Sequence, residues 1–342
     1  MPTDLYHASV IIPVYNSVGT LRRAVRSALD QTLADSEILI VDDGSKDDSL
    51  ALAYRLAEEN CRVRVIALPT NHGKSHAMNT AIAEARGTWI AVLDADDWYQ
   101  PERLATLIAA GEASGIDLVA DNQYRHDAAA GRVVDTALPD DQPDTLLTKE
   151  AFILGCDAFA EFNIGMLKPV LRARYIRRTG LAYRENARLG EDFLYLIEFF
   201  AAGGVGLLLS QPLYNWTQSF GSISRQWTTT GAGGWRYDFR SALQANAEVR
   251  SALHQRGESA LVDLLAVRER AYTILHDLTE ISRLRAEGAS PLQVLDVVAR
   301  HPAIWPELAR RLLHSAARRL RQPGVRGDRP PFKRERVDTT AT

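Results

Sequence analysis

One apolar segment of strand length stops abruptly at three acids. Residues 89–93 (WIAVL) run directly into Asp94-Ala95-Asp96-Asp97. The run has the composition of a buried strand, and acids at the carboxyl end of such a strand lie where open α/β sheets bind ligands. Three carboxylates this close repel one another unless a cation or strong donors neutralise them. The segment therefore predicts either a Mg²⁺ or Mn²⁺ site or a solvated acidic turn before the next helix.

Strand-like and helical patterns alternate through the chain ahead of this segment. Short β-branched runs occupy residues 8–14, 37–41 and 62–68, with helical periodicity between them and a helix over 73–86. This alternation predicts an α/β fold, with a mostly parallel sheet and helices on both faces. A dinucleotide-binding or P-loop domain is not predicted, because the first turn has neither glycine-rich pattern.

Two of the predicted strands end in side chains that suit a polar ligand. The second strand ends in Asp42-Asp43, and the carboxyl ends of parallel strands share one edge of a sheet. Asp42 and Asp94 are therefore expected to bind one ligand between them, such as a ribose or a uracil with its hydroxyl or imide donors. The alternative is a capping turn, and we expect one of Asp42 and Asp43 to cap the following helix.

Five short motifs follow one another along this region. They are Pro13-Val14-Tyr15-Asn16, Val41-Asp42-Asp43-Gly44-Ser45, Asn71-x-Gly73, Asn79-Thr80-Ala81-Ile82 and Asp94-Ala95-Asp96-Asp97. Their order and spacing resemble family 2 glycosyltransferases, which are inverting, nucleotide-sugar-dependent enzymes of the GT-A fold. The resemblance covers residues 8 to 120 well and extends more loosely to residue 227. Beyond Asn163 the chain is similar to enzymes that build acidic exopolysaccharides of the succinoglycan type.

The resemblance implies a role for each matching position. Asp42 corresponds to the acid that reads the uracil, and Asp94 to the ribose-side acid of the Asp-x-Asp motif. Asp96 corresponds to the direct ligand of a divalent cation, Mn²⁺ or Mg²⁺, with Asp94 beside it. Asp97 is expected to assist or to cap. The residues expected to bind the nucleotide sugar are Pro13, Val14, Tyr15, Asn16, Asp42, Asp43, Lys74, Asp94, Ala95 and Arg225.

Lys74 and Arg225 are the cations expected at the donor phosphates. Lys74 lies at the start of a helix, where backbone amides favour an anion, or else it is simply solvent-exposed. This helix has Met78 where the commonest family pattern has an arginine. Arg225 ends a Gly-Ser-x-Ser-Arg run, which is either a lid over the diphosphate or a mobile surface loop.

A second acidic pair, Glu191-Asp192, opens a later helix. One acid there is explained by the helix dipole, and two exceed that need. The matching position in the family is the general base, so Asp192 is the expected catalytic base ahead of Glu191. A carboxylate in this role takes the proton of a sugar hydroxyl as it attacks the anomeric carbon, while the metal stabilises the departing diphosphate.

Composition excludes several classes of protein. A net charge of -3 gives no nucleic-acid signature, and two distant cysteines, Cys61 and Cys156, exclude a disulfide framework and a cysteine zinc site. The longest apolar stretch, residues 199–209, is too short to span a bilayer. The start of the chain has no signal-peptide pattern. These features predict a cytoplasmic protein.

The later part of the chain is less regular. Residues 125–148 predict a loop-heavy insertion, residues 170–179 a helix and residues 181–183 a short strand. Residues 305–321 form a basic amphipathic pattern with Trp305. This pattern predicts peripheral contact with anionic lipid on the inner face of the plasma membrane, or a helix packed on its neighbours.

These patterns predict three regions in the chain. A GT-A domain covers 1–230, with a nucleotide-sugar half (1–121) and an acceptor half (122–230). A helical region covers 231–321, and a disordered tail covers 322–342.

The predicted function is metal-dependent, inverting transfer of one sugar from a UDP-sugar to a glycan or polyprenyl-linked acceptor. The succinoglycan resemblance points to UDP-glucose as the donor. The chain lacks the Gln-x-x-Arg-Trp motif of processive members, which favours one sugar per encounter. The alternatives are a nucleotidyltransferase that forms nucleotide sugars and a non-catalytic nucleotide-sugar-binding scaffold of a polysaccharide assembly complex.

Overall fold

The computed structural model describes most of the chain in two compact units, Met1–Thr279 and Glu280–Thr342. The described residues are 5–127, 131–139, 142–156, 162–218, 239–286, 288, 290–300 and 305.

Strands and helices alternate in the first part of the chain, as the sequence predicts. The elements are β1 (Tyr6–Val14), α1 (Leu21–Leu29), β2 (Ser36–Asp42), α2 (Ser49–Glu59), β3 (Val63–Ala67), α3 (Lys74–Glu84) and β4 (Gly87–Val92). The four strands are parallel and lie in the order β3-β2-β1-β4. Their carboxyl ends therefore meet at one edge of the sheet.

The second part of the chain extends the same sheet. Its elements are β5 (Trp98–Tyr99), α4 (Arg103–Ser114), β6 (Leu118–Asp127), β7 (Arg132–Thr136), β8 (Thr145–Leu147), α5 (Lys149–Leu154), a 3-10 turn (Ile164–Met166), β9 (Val170–Arg172), α6 (Ala173–Thr179), α7 (Glu191–Ala201) and β10 (Gly206–Gln218). The described residues form a ten-stranded sheet with the central order β3-β2-β1-β4-β9-β6-β10-β5. Because β9 is antiparallel to both β4 and β6, those two strands run in the same direction.

Helices cover both faces of this sheet. Along β1, Val10 and Ile12 belong to one hydrophobic core and Ile11 to the other, because successive side chains of a strand point to opposite faces. The core around Val10 contains the apolar faces of α1, α2 and α4. The core around Ile11 contains those of α3 and α7. The predicted fold, a mostly parallel sheet with helices on both faces, is confirmed.

One local prediction was wrong and two were wrong in part, although residues 173–179 form the predicted helix. Residues 170–179 begin with the strand β9, because Val170 and Leu171 are buried between β4 and β6 and complete the sheet. Residues 181–183 form no strand, since the side chain of Asn79 takes both backbone hydrogen-bonding groups of Tyr183. The segment 125–148 is less loop-like than predicted, because β6 reaches Asp127 and pairs with β7.

The helical region begins within the first unit. There the helix Phe239–Gln255 and residues 259–279 of the helix Ser259–Ala286 add Val249, Leu261 and Leu265 to the core that contains α7. None of the helices in the described ranges is both long and apolar enough to cross a membrane.

In the second unit, the helix Pro291–Arg300 is followed by Trp305, whose Nε1 donates to the carbonyl oxygen of Val298. Arg225 and residues 306–321 lie outside the described residues, so the predicted lid and the membrane-contacting helix remain predictions.

Candidate active site

Four chain segments converge beyond the carboxyl end of β4. Asp94 directly follows this strand, and Lys74 is the first residue of α3. Lys168 lies in the turn before β9, and the pair Glu191-Asp192 opens α7. The site therefore combines residues from the first and second parts of the sheet.

Two lysines hold these acids together. The ammonium group of Lys74 contacts three carboxylates: Asp94 Oδ1 at 2.9 Å, Glu191 Oε1 at 3.2 Å and Asp192 Oδ2 at 3.0 Å. The ammonium group of Lys168 contacts Asp94 Oδ2 at 2.8 Å and Asp192 Oδ2 at 2.6 Å. We call these five residues the lysine–carboxylate cluster. It brings the predicted donor-side acid Asp94 and the predicted base Asp192 to the same two ammonium groups.

Lys168 is buried, the other four residues of the cluster are half-buried, and the opposite charges of the cluster stabilise one another. Burial alone raises the pKa of Asp192, but the charges of Lys168 and Lys74 outweigh it and hold that pKa below its ordinary value. The pKa of Asp94 is lowered for the same reason, by Lys168 and Lys74 against burial. Burial lowers the pKa of each lysine, but the nearby carboxylates raise it further than burial lowers it. All four groups are therefore ionised at neutral pH.

Asp96 differs from Asp94 because its carboxylate forms no ion pair with any described residue. Burial, together with the charge of Asp94, raises the pKa of Asp96. The backbone of Asp96 is fixed, since its carbonyl oxygen accepts hydrogen bonds from Arg23 Nη2 and Thr217 Oγ1, both at 2.6 Å. The backbone of Asp96 is thus held in place, while its carboxylate has no counter-cation from the described part of the chain.

Asp97 has a structural role. Its two carboxylate oxygens accept hydrogen bonds at 2.7 Å from the backbone N–H of Thr217 and the hydroxyl of Tyr214, and the residue is 1% exposed. The Tyr214 hydroxyl also accepts from the backbone N–H of Asp94 at 3.2 Å. Asp97 therefore fastens the acidic turn to β10.

The acids of this site suit a divalent cation whose coordination shell is completed by a bound ligand. Within the described ranges, no three acidic, histidine or cysteine side chains form a ready-made metal cage. Mg²⁺ and Mn²⁺ are usually held by one or two carboxylates and by substrate phosphates. Asp96 fits this role as it stands. Asp94 fits only after the lysines leave it, because each of its oxygens already contacts one ammonium group.

Asp42 and Asp43 have different surroundings. Asp42 Oδ2 accepts from the backbone N–H of Ser45 at 3.0 Å, whereas its Oδ1 is buried and has no hydrogen-bond partner in the structure described. Asp43 accepts the backbone N–H groups of His72 and Gly73, both at 2.7 Å. A buried acceptor without a partner is costly, so Asp42 has unused capacity for a ligand donor. Asp43 shapes the loop that leads into α3.

The turn after β1 supplies further candidates. Asn16 has a positive φ of 51°, its Oδ1 accepts from Lys46 N at 2.7 Å, and its N–H donates to Ser45 Oγ at 3.0 Å. This residue therefore joins the two loops. Tyr15 is 46% exposed and can contact a ligand. The remaining candidates from this turn and the acidic turn are partly or fully buried: Pro13, Val14 and Ala95.

Sequence reasoning missed Lys168 as a site residue. A single lysine before a proline predicts only a turn, and its importance becomes visible only when β9 is placed beside β4.

Sequence reasoning also missed a brace behind α7. Gly190 precedes the helix with φ 76°, and an added Cβ would lie 2.5 Å from Arg268 Nη2 and 2.6 Å from Tyr272 Oη. The Arg268 guanidinium also lies 3.8 Å from the ring centroid of Phe193.

Two curated relatives are succinoglycan biosynthesis proteins. The chain is 37% identical over 218 residues to the succinoglycan biosynthesis protein ExoO of Rhizobium meliloti (strain 1021). It is 36% identical over 196 residues to ExoU of the same organism. These matches cover 63% and 56% of this chain, and the chain spans 62% and 55% of the length of the two relatives.

Solved structures share the fold at low sequence identity. Staphylococcus aureus TarS 1-349, in complex with UDP-GlcNAc, aligns with a TM-score of 0.54 and 16% identity over 83% of this chain and 93% of that chain. The mannosyltransferase PcManGT from Pyrobaculum calidifontis, in complex with GDP-Man and Mn²⁺, aligns with a TM-score of 0.52 and 16% identity over 89% and 82%. These likenesses establish the GT-A-like fold.

The sequence also matches a family model over the segment that contains the strand-end motifs. The model is Glycosyl transferase family 2, and the match covers residues 9–158. The segment 9–158 of this chain is a domain of glycosyl transferase family 2.

Proposed function

We propose that the protein is an inverting glycosyltransferase. It moves one sugar from a UDP-sugar, with UDP-glucose as the first candidate, to a glycan or polyprenyl-linked acceptor in exopolysaccharide synthesis. The observation that carries this proposal is the lysine–carboxylate cluster. The acid expected at the donor ribose, Asp94, and the acid expected at the acceptor hydroxyl, Asp192, both contact Lys168 within 2.8 Å.

The donor end of the site is formed by the strand-end residues. The free oxygen of Asp42 suits the imide N–H of a uracil, and Tyr15 is exposed beside it. Asp96, assisted by Asp94, would hold a divalent cation, which when bound neutralises the charge of the diphosphate. Mn²⁺ and Mg²⁺ are both compatible with carboxylate oxygens.

Asp192 supplies the base at the acceptor end. Its carboxylate, ionised at neutral pH, accepts the proton of the acceptor hydroxyl as the hydroxyl oxygen bonds to the anomeric carbon. The bond from that carbon to the diphosphate breaks on the opposite side. A single displacement of this kind inverts the centre, so an α-linked donor gives a β-glycoside.

The relatives support the substrate classes in this proposal. The names of ExoO and ExoU place those two proteins in succinoglycan biosynthesis, and the TarS and PcManGT structures contain a UDP-sugar and a GDP-sugar respectively. GDP is therefore the necessary comparison for UDP. A cytoplasmic enzyme that touches the membrane through residues 305–321 would meet a polyprenyl-linked acceptor at the membrane surface.

Calorimetric titration of UDP and GDP, each with Mn²⁺ and with EDTA, tests the donor site. We expect metal-dependent UDP binding in the wild type and its loss in Asp96→Ala. Failure of both nucleotides to bind in the presence of metal would refute the proposal and favour a scaffold. Release of pyrophosphate from a nucleoside triphosphate and a sugar phosphate would instead identify a nucleotidyltransferase.

A further inference from the structure

We infer that Lys168 is a ligand of the donor diphosphate, and that donor binding is what frees Asp192 for the acceptor. This inference rests on the proposed function. In the free protein, Lys74 and Lys168 pair with the acids of the cluster. When the donor binds, both ammonium groups move away from the carboxylates and pair with the diphosphate instead.

The position of Lys168 places it at the reacting centre. Its Nζ lies 2.8 Å from Asp94 on the donor side and 2.6 Å from Asp192 on the base side. The leaving oxygen and the attacking hydroxyl flank the same anomeric carbon. A cation between the two acids is therefore next to the bond that breaks, and the charge that develops there is the diphosphate's.

The backbone at Lys168 is fixed while its ammonium group can change partners. The carbonyl oxygen of Lys168 accepts from Arg103 Nη2 at 2.5 Å, and the Arg103 side chain is itself paired with Asp121 and has no exposed surface. The Lys168 side chain is 10% exposed, so it is not completely enclosed. A long lysine stem on a fixed backbone lets the charge shift without moving the loop.

The contacts of Asp94 make this transfer necessary. Both carboxylate oxygens of Asp94 contact ammonium groups. Asp94 can therefore bind a ribose hydroxyl or a cation fully only after those ammonium groups have moved away. A buried ammonium that loses its carboxylate needs another anion, because an unpaired buried charge is very costly. The diphosphate supplies that anion. Donor binding and release of the base are thereby coupled.

In the transfer step, the proton and the electron pair of the broken bond each have a named acceptor. The acceptor oxygen forms a bond to the anomeric carbon, and its proton passes to Asp192. The bond between that carbon and the diphosphate oxygen breaks, and both of its electrons stay on the diphosphate. Lys168 and Lys74 then neutralise the added negative charge.

A double-mutant cycle with UDP binding as the readout tests the inference. Lys168→Met is expected to weaken UDP binding about 10- to 100-fold, the value of one lost charge-assisted hydrogen bond. Lys149→Met is the matched control, since this lysine of α5 pairs with an acid outside the cluster, Glu258 at 2.6 Å. UDP affinity should be unchanged in the control. If Lys168→Met does not fold, Lys168→Gln is used in the same cycle.

The second arm removes the competing carboxylate. Asp192→Asn is expected to tighten UDP binding about threefold or more in the wild-type background, because Lys168 then has to leave only one acid, Asp94, instead of two. The same change should have a much smaller effect in the Lys168→Met background. Equal effects in both backgrounds, or unchanged UDP affinity in Lys168→Met, would overturn the inference and leave the proposed function intact. Failure of the wild type to bind UDP would overturn the proposed function itself.

Discussion

Arg103 and Asp121 form a buried two-point ion pair beneath the active site. Arg103 Nε donates to Asp121 Oδ2 at 3.0 Å and Nη2 donates to Oδ1 at 2.7 Å, with at most 1% of either side chain exposed. Burial lowers the pKa of Arg103, but the charge of Asp121 raises it further, so the guanidinium stays protonated. Because the same guanidinium holds the carbonyl oxygen of Lys168, the pair links the fold to the site.

Loss of one member of this pair is expected to be severely destabilising. Arg103→Met leaves Asp121 buried and unpaired, and we expect the free energy of unfolding to fall by about 3–5 kcal/mol in urea titrations. The double variant Arg103→Met/Asp121→Leu should recover much of that loss, because it removes both charges. Arg22→Met, which breaks an exposed pair with Glu59, is the control, with a change below about 0.5 kcal/mol. A double variant as unstable as Arg103→Met would contradict this account.

Asp192→Asn distinguishes the proposed base, Asp192, from the adjacent acid, Glu191. We expect kcat for UDP release from a UDP-sugar and acceptor to fall about 10²- to 10⁴-fold, which is the usual contribution of a positioned general base. Glu191→Gln, which removes only a contact to Lys74 at 3.2 Å, should cost much less. The two variants differ by one position and carry the same change in charge. A larger loss in Glu191→Gln would move the role of base to that residue.

Tyr214→Phe tests whether the Tyr214 hydroxyl anchors the acidic turn, residues 94–97, to β10. The missing hydroxyl leaves Asp97 Oδ2 and the backbone N–H of Asp94 without their partner. We expect a loss of about 1–3 kcal/mol in the free energy of unfolding, together with weaker UDP binding. Tyr54→Phe alters a tyrosine that is 48% exposed and should change neither quantity. Equal behaviour of the two variants would show that the Tyr214 hydroxyl is dispensable.

Gly73→Ala is expected to damage the site through the backbone. Gly73 has φ 97° and ψ 158°, a region almost confined to glycine, and an added Cβ would collide with the Arg188 side chain. We expect a loss of about 1–3 kcal/mol and weaker UDP binding, since α3 carries Lys74. Gly115→Ala has a similar positive φ, 69°, in open space, and costs about 1–2 kcal/mol. Because Gly115 closes α4, its variant should bind UDP normally.

The two cysteines should react very differently. Burial raises the pKa of Cys156 to about 12, although Arg268 opposes the shift, whereas Cys61 is exposed. At about pH 8 roughly one Cys156 thiol in ten thousand is ionised, so a disulfide reagent should modify one thiol in the native protein and two in urea. The unfolded chain ionises Cys156 near its ordinary value of 9.0, so this group destabilises the fold as pH rises from 9.0 to about 12. Rapid modification of both native thiols would contradict this burial.

The strand-end acids were predictable because their position follows from local patterns alone. The run before Asp94 has strand composition, and parallel strands fix where their ends meet. Lys168 and the Arg103–Asp121 pair were not predictable in this way. They depend on β9 lying antiparallel between β4 and β6, a pairing that the helical spacing of residues 170–179 concealed. Asp43 was predictable as an acid at the site but not as a brace, since its partners, at residues 72 and 73, are distant in sequence.

The lysine–carboxylate cluster also limits how this chain can be recombined with its relatives. A chimaera that exchanges everything beyond residue 122 would keep Lys74 and Asp94 but import new residues in place of Lys168 and Asp192. If the relative that provides the exchanged part had an acid at position 192 but no lysine at position 168, the junction would carry a surplus of negative charge. Such a hybrid would be inactive whatever acceptor it recognised. Parents for acceptor engineering should therefore be chosen first for matching charge at these two imported positions.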